Sequence, residues 1–171
     1  MLVATPLLHN DRVYVATGDD PEFSQGPGHL WCIDATKRGD VSPELVFDKN
    51  GHPVPPRRVQ AADPTAGDVV RPNPNSAAVW CYAGRDPKNS EDDSTNLMHR
   101  TLSTATVDGD LLVIGDLTGM FHCLDARTGK AHWVYDVLSA VWGSPLIADG
   151  NIYIGNEDGE VVVFERSSTM N

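Results

Sequence analysis

The sequence predicts an all-β chain: a partial β-propeller of about three four-stranded blades, interrupted by a Pro-rich insertion. Three observations carry that expectation. Gly115-Asp116-Leu117-Thr118-Gly119, followed by Met120–Asp125, recurs 40 residues later as Gly155-Asn156-Glu157-Asp158-Gly159, followed by Glu160–Glu165. A third copy matches at the N-terminus. No segment shows the 3.6-residue periodicity of an amphipathic helix. A period near 40 residues with four short strands per unit is that of a propeller blade.

The elements follow in order. Thr5–Val15 reads as two strands about Asn10-Asp11 and aligns with Ser144–Ile154, two strands about Asp149-Gly150. Gly28–Ala35 aligns with Gly119–Ala126, so that Cys32 falls on Cys123 and Asp34-Ala35 on Asp125-Ala126. The loop between these blocks, Gly18–Pro27, is longer than its counterparts. From Asp40 to about Arg100 the period fails. Seven of the 12 prolines lie between Pro43 and Pro74, and proline cannot donate within a central strand. One strand is expected there, Ser76–Tyr82, before an acidic run from Asp86 to Asn96. Segments 41–75 and 84–99 therefore read as loops out of the repeat. Thr104–Val107 and Leu111–Ile114 form a hairpin about Asp108-Gly109, a pair that accepts the tight-turn backbone. Trp133–Asp136 is expected to open the last blade, followed by the hairpin 144–154 and the strand 160–165.

The resulting division is a partial blade at 1–40, an insertion at 41–100 with one candidate inner strand (76–82), the rest of the second blade at 101–132 and a third blade at 133–171. The first blade then lacks its innermost strand. Three blades leave open sheet flanks, which require missing blades or a self-partner, because unpaired edges aggregate. The chain is thus expected to be a piece of a longer protein. Met1–Pro6 lacks the basic and apolar regions of a signal peptide, which in a piece carries no weight.

Composition narrows the function. The 171 residues hold 13 Lys and Arg against 24 Asp and Glu, a net charge of -11. No basic footprint for nucleic acid exists, and an anionic membrane surface is disfavoured. No apolar run approaches the roughly 20 residues of a membrane span. The three cysteines, Cys32, Cys81 and Cys123, form no CxxC motif. Equivalent positions of neighbouring blades lie beyond the roughly 7 Å Cα limit of a disulfide, so Cys32 and Cys123 are expected unpaired. Cys81 should point opposite to Trp80, and all three thiols are expected to be packed and unreactive.

The sharpest motif is Asp125-Ala126-Arg127-Thr128-Gly129-Lys130-Ala131-His132-Trp133. Asp125 can accept bonds from turn amides, Gly129 supplies a left-handed backbone, and Trp133 can pack between blades with its indole N–H bonded near a turn. With Asp125, Thr128, Gly129, Lys130 and Trp133 in place, the sequence resembles the pyrroloquinoline-quinone-type (PQQ-type) β-propeller repeat over residues 4–35 and 101–166. That resemblance places the motif between the outer strand of one blade and the inner strand of the next. The first copy keeps Asp34 and Gly39, and Trp80 is expected to take the tryptophan's place after the insertion. The insertion itself is similar to that of a group of secreted propellers of unassigned activity, with Pro72-Asn73-Pro74-Asn75-Ser76-Ala77 before Val79-Trp80, and His99-Arg100-Thr101 later.

The resemblance implies two function classes. The first is a cofactor-free binding or scaffold propeller, periplasmic or secreted, for a protein or extracellular ligand; such members include the outer-membrane assembly lipoprotein and the sensor propellers of membrane kinases. The second is a quinoprotein alcohol or sugar dehydrogenase using PQQ and Ca²⁺. Quinoproteins of this fold use a vicinal Cys–Cys pair, a Glu/Asn calcium site and a catalytic Asp, and this chain has no adjacent cysteines. No catalytic residue is therefore assigned. His99, Arg100 and Trp142 are candidates for lining a funnel. Asp19, Asp20 and Glu22, like the run Asp86–Asp93, offer hard oxygen ligands for Ca²⁺, although Lys88 and Ser90 break an EF-hand pattern. His29, His122 and His132 are expected at the surface or between blades.

Overall fold

The computed structural model describes residues 4–18, 27–55, 62–84 and 97–170. The candidates Asp19, Asp20 and Glu22 and the run Asp86–Asp93 lie outside them. Thirteen strands and one 3-10 turn form the described part: β1 Leu7–His9, β2 Arg12–Gly18, β3 Gly28–Asp34, β4 Glu44–Phe47, β5 Val69–Pro72, β6 Ala78–Tyr82, β7 Thr106–Asp108, β8 Leu111–Gly115, β9 Met120–Asp125, β10 Ala131–Asp136, β11 Leu146–Ala148, β12 Asn151–Gly155 and β13 Val161–Glu165. The expected all-β architecture is present as antiparallel sheets of short strands. No helix among the described residues is long and apolar enough to cross a membrane.

The chain divides into two units, residues 1–33 with 79–171, and residues 34–78. In the first, each sheet begins with a hairpin. The β1–β2 loop is Asn10-Asp11, both at positive φ (48° and 58°), the twist a two-residue hairpin needs. Between β7 and β8 the pair Asp108↔Leu111 closes the ladder, so the two loop residues are Gly109-Asp110, one place later than the sequence suggests. The sheet orders are β1-β2-β3-β6, β10-β9-β8-β7 and β11-β12-β13.

These orders correct the blade boundaries. Trp133 lies opposite Cys123 in the ladder of β9 with β10, so its strand closes the second sheet and does not open the third. By the same rule β6 closes the first sheet, which has all four strands. The division at 132/133 and the missing innermost strand of the first blade therefore fall away. The reason is local: the Asp125–Lys130 segment is a tight turn, with Asp125 N–H bonded to the Lys130 carbonyl (2.8 Å) and Gly129 N–H to the Asp125 carbonyl (2.8 Å). A turn that short returns the chain beside the strand it has just left.

Two buried clusters hold the sheets face to face. One joins Tyr14, Leu30, Cys32 and Tyr82 of the first sheet to Leu112, Ile114 and Leu124 of the second. The other joins Val113, Phe121, Cys123 and Trp133 to Ile152, Ile154 and Phe164 of the third. Alternation along β8 and β9 sends successive side chains to opposite clusters. Cys32 and Cys123 are buried and none of the three cysteines is disulfide-bonded, as expected, but Cys81 is exposed. It lies on the face of β6 opposite the packed Trp80.

The second unit fills the β3–β6 connection. Asp34 N–H bonds the Ala77 carbonyl (2.8 Å), the bond Asp125 makes to Lys130 in the next sheet. Residues 35–77 thus occupy the place of a five-residue turn. The repeated asparagines of Pro72–Ala77 close the stem: Asn73 Nδ2 donates to the Asp40 and Ser42 carbonyls, and Asn75 Nδ2 to those of Arg38 and Asp40. Beyond the stem the insertion is not all loop. β4 and β5 pair antiparallel, with Pro72 at the strand end opposite Glu44, where a missing donor costs little. Asp63 caps the Pro64–Ala66 turn through Thr65 and Ala66 N–H, and Arg71 stacks on Phe47 at 4.6 Å.

Candidate functional site

The repeat motif builds the sheet-to-sheet joint. Asp125 Oδ1 accepts from Arg127 N–H, Thr128 N–H (both 2.9 Å) and Thr128 Oγ1 (3.1 Å). Gly129 stands at φ 71°, and a Cβ there would meet the Trp80 ring at 2.6 Å. Trp80, from the first sheet, donates its indole N–H to the Ala126 carbonyl at 3.1 Å, where Tyr14 Oη also donates. Trp133 makes the matching bond to the Ser167 carbonyl, 3.1 Å, just past the third sheet. Trp80 thus takes the expected place after the insertion. Lys130 contributes its backbone: its carbonyl receives Asp125.

Above this joint lies a polar cluster that sequence reading missed. Asp116, fully buried, accepts at Oδ1 from Thr118 N–H (2.9 Å), Thr118 Oγ1 (2.7 Å) and Met120 N–H (3.1 Å), and at Oδ2 from His99 N–H (2.9 Å). His122 Nε2 stands 3.4 Å from Oδ2, and His122 Nδ1 3.1 Å from Tyr82 Oη. Burial pushes the Asp116 carboxyl up, but bonds from His122, His99 N–H and Thr118 outweigh it and hold the group below the ordinary range. An ionised Asp116 takes Nε2–H from His122, which leaves Nδ1 to accept from Tyr82. Burial, with the Asp116 charge beside it, pushes the Tyr82 phenol up, so it remains a donor. The chain Asp116–His122–Tyr82 is an inter-sheet link, in keeping with the between-blade place expected of His122.

The funnel candidates separate. His99 belongs to this cluster: its Nδ1 meets Thr118 Oγ1 at 3.0 Å. The His99-Arg100 segment is wedged against backbone, since a Cβ on Gly28 would lie 2.0 Å from the His99 carbonyl oxygen. The Arg100 carbonyl accepts from Leu117 N–H at 3.2 Å. His99-Arg100-Thr101 is thus a strap tying the ends of the first and second sheets. Trp142 lies on the segment before β11, 54% exposed; no hydrogen bond or ring contact joins it to His99 among the described residues. Asx chemistry was the available signal for Asp116, because its repeat partner Asn156 bonds Glu160 N–H identically, at 2.9 Å. Nothing in the spacing relates Tyr82 to His122.

Within the second unit, Val41, Leu45, Val46, Phe47, Val54 and Pro55 line an apolar groove of about 610 Å³. Among the described residues no cluster of three His, Cys, Asp or Glu side chains could hold a metal ion.

Comparison with known proteins places this geometry. The family profile described as outer membrane protein assembly factor BamB matches residues 57–169. The outer membrane protein assembly factor BamB of Shewanella oneidensis is 32% identical over 71 residues, 41% of this chain and 18% of that protein. The protein of the same name from Kangiella koreensis is 24% identical over 168 residues, 95% of this chain and 37% of that one. The chain thus spans well under half the length of these relatives. Among solved structures, BamB from Moraxella catarrhalis superposes with a TM-score of 0.51 at 19% identity, covering 95% of this chain and 37% of that one. A europium-containing methanol dehydrogenase does so at 0.53 and 16% identity, covering 96% and 23%. Both structural likenesses show the fold alone.

Proposed function

The chain belongs to the outer membrane protein assembly factor BamB family of PQQ-like propeller repeats, and from that membership we propose that it is a non-catalytic binding or scaffold module for a protein partner, acting outside the cytoplasm, periplasmic or secreted. One observation carries the reading. The strongest acid–base constellation in the described structure, Asp116–His122–Tyr82, is spent internally. Asp116 and His122 are both 0% exposed, and the carboxylate already receives N–H or O–H donors on each oxygen. A general base must reach its proton, and this one reaches only its own sheets.

The quinone-dependent alternative fits these residues poorly. The vicinal cysteine pair of quinoproteins has no counterpart, since Cys32, Cys81 and Cys123 lie on three different strands. The described acidic side chains do not converge as hard oxygen ligands for Ca²⁺. Relatives named outer membrane protein assembly factor favour a protein partner over a small substrate.

Equilibrium dialysis of the chain against PQQ with Ca²⁺, followed by a dye-reduction assay with alcohols and sugars, tests this. The expected result is no stoichiometric quinone binding and no turnover. Stoichiometric binding with turnover would overturn the proposal.

A further inference from the structure

Within the second unit, β4 runs into a tight turn, Asp48-Lys49-Asn50-Gly51-His52, that folds Pro53 and Val54 back along it. Gly51 N–H donates to the Asp48 carbonyl (2.9 Å) and Asp48 N–H to the His52 carbonyl (2.8 Å). This is the bond pattern of a three-residue hairpin loop whose last residue is left-handed, and Gly51 stands there at φ 83°. Below the turn Phe47 bridges Pro53, and Val54 N–H donates to the Val46 carbonyl at 2.9 Å. These bonds seat Pro53, Val54 and Pro55 as one wall of the apolar groove.

The turn also carries the one asparagine of the chain that precedes a glycine. Asn73 and Asn75 are tied through Nδ2 to the carbonyls of the stem. Among the described residues no hydrogen bond holds the Asn50 carboxamide, and Asn50 and Gly51 are both exposed. A Cβ on Gly51 would meet nothing within 4 Å, so the turn needs glycine for its φ and not for space. The same lack of a side chain leaves the Gly51 nitrogen unshielded toward Asn50 Cγ. Asp48 is the restraint: its Oδ1 accepts from Asn50 N–H and from His52 N–H, both at 2.8 Å, and its carbonyl holds the Gly51 N–H. We propose that Asn50 is a site of spontaneous deamidation gated by opening of the Asp48 turn, and that its isoaspartate product unseats the groove wall. A solvent base takes the Gly51 amide proton, the nitrogen bonds to Asn50 Cγ, and the side-chain nitrogen leaves as ammonia. Water then opens the succinimide at either carbonyl, to aspartate or to isoaspartate, and nothing is oxidised or reduced. Isoaspartate routes the main chain through an extra carbon, so the turn no longer closes both of its backbone bonds, and either product adds a negative charge.

The test is storage of the folded full chain in mildly alkaline buffer, followed by proteolysis and mass spectrometry, with an isoaspartyl methyltransferase to score the isomerised product. The expected result is the amide-to-acid mass gain at Asn50, as a mixture of aspartate and isoaspartate, while Asn73 and Asn75 remain amides. Asn50→Gln, which would need a larger ring, should stay intact. Asp48→Ala should speed conversion about 5-fold or more, because the rate follows the open population of the turn and loss of a turn hydrogen bond raises it by that factor. Asp48→Asn keeps the Oδ1 acceptor and should convert at the wild-type rate; circular dichroism confirms the fold of each variant. In the isoaspartyl chain the Val54 amide should exchange faster than in fresh protein. An Asn50 that stays an amide, aspartate formed without isoaspartate, or equal rates in wild type and Asp48→Ala would overturn the gated site. Unchanged Val54 exchange would overturn the release of the wall. Quinone dialysis does not read this turn, so either proposal can fail while the other stands.

Discussion

Replacing Asp116 by alanine should lower the unfolding free energy by roughly 3–5 kcal/mol, because it strands several buried donors at once. The N–H groups of His99, Thr118 and Met120, the Thr118 hydroxyl and the His122 ring all lose their acceptor. Asparagine should cost less, since Asn156 shows that an amide oxygen closes the same turn. Its NH₂ would face the donors that Oδ2 now receives, so the strap through His99 should still loosen. The pH dependence has a defined sign. The folded carboxyl titrates below its ordinary value of 3.8, so its contribution is complete above that value. It is lost as pH falls below 3.8 toward the folded pKa. Urea titrations of the wild-type chain and Asp116→Asn between pH 3 and 7 should therefore converge toward the acid end.

Trp133→Ala should cost about 3–5 kcal/mol, the range for truncating a buried aromatic. The ring packs on Phe121 at 6.0 Å and on Phe164 at 5.1 Å and joins the third sheet through Ser167. The loss should be localised. Amide exchange should accelerate first in β11–β13, while the joint made by Trp80 and Tyr14 on Ala126 keeps its protection. Equal acceleration across all three sheets would show that the joints are not independent.

Much of this architecture was legible in the residues. The 40-residue offset located the hairpins of the second and third sheets, and the Asp-Thr-Gly-Lys-Trp spacing located the joint. Sequence misassigned the strand that carries the tryptophan. A tryptophan directly after a turn reads equally as the end of one sheet or the start of the next, and that choice is settled by pairing partners far apart in sequence. Prolines hid β4 and β5, because Pro72 sits at a strand end where it needs no partner for its nitrogen. Among the funnel candidates His99 and Arg100 proved to be part of a strap, fixed by contacts to Gly28 and Leu117 that no local pattern encodes. The Asp116–His122–Tyr82 link was invisible for the same reason: its members come from two sheets.

The first and second sheets are the same unit, the first opened at its turn by residues 35–77. A graft tests it directly. Residues 35–77 are replaced by the turn Ala126-Arg127-Thr128-Gly129-Lys130, which joins β3 to β6 as it joins β9 to β10. The account predicts a folded chain that keeps a β-sheet far-ultraviolet spectrum and a cooperative unfolding transition. The Trp80 and His122 resonances should keep their positions, because Asp34 regains its bond across a short turn. A chain that unfolds, or in which Trp80 and His122 shift to solvent-exposed positions, would contradict it.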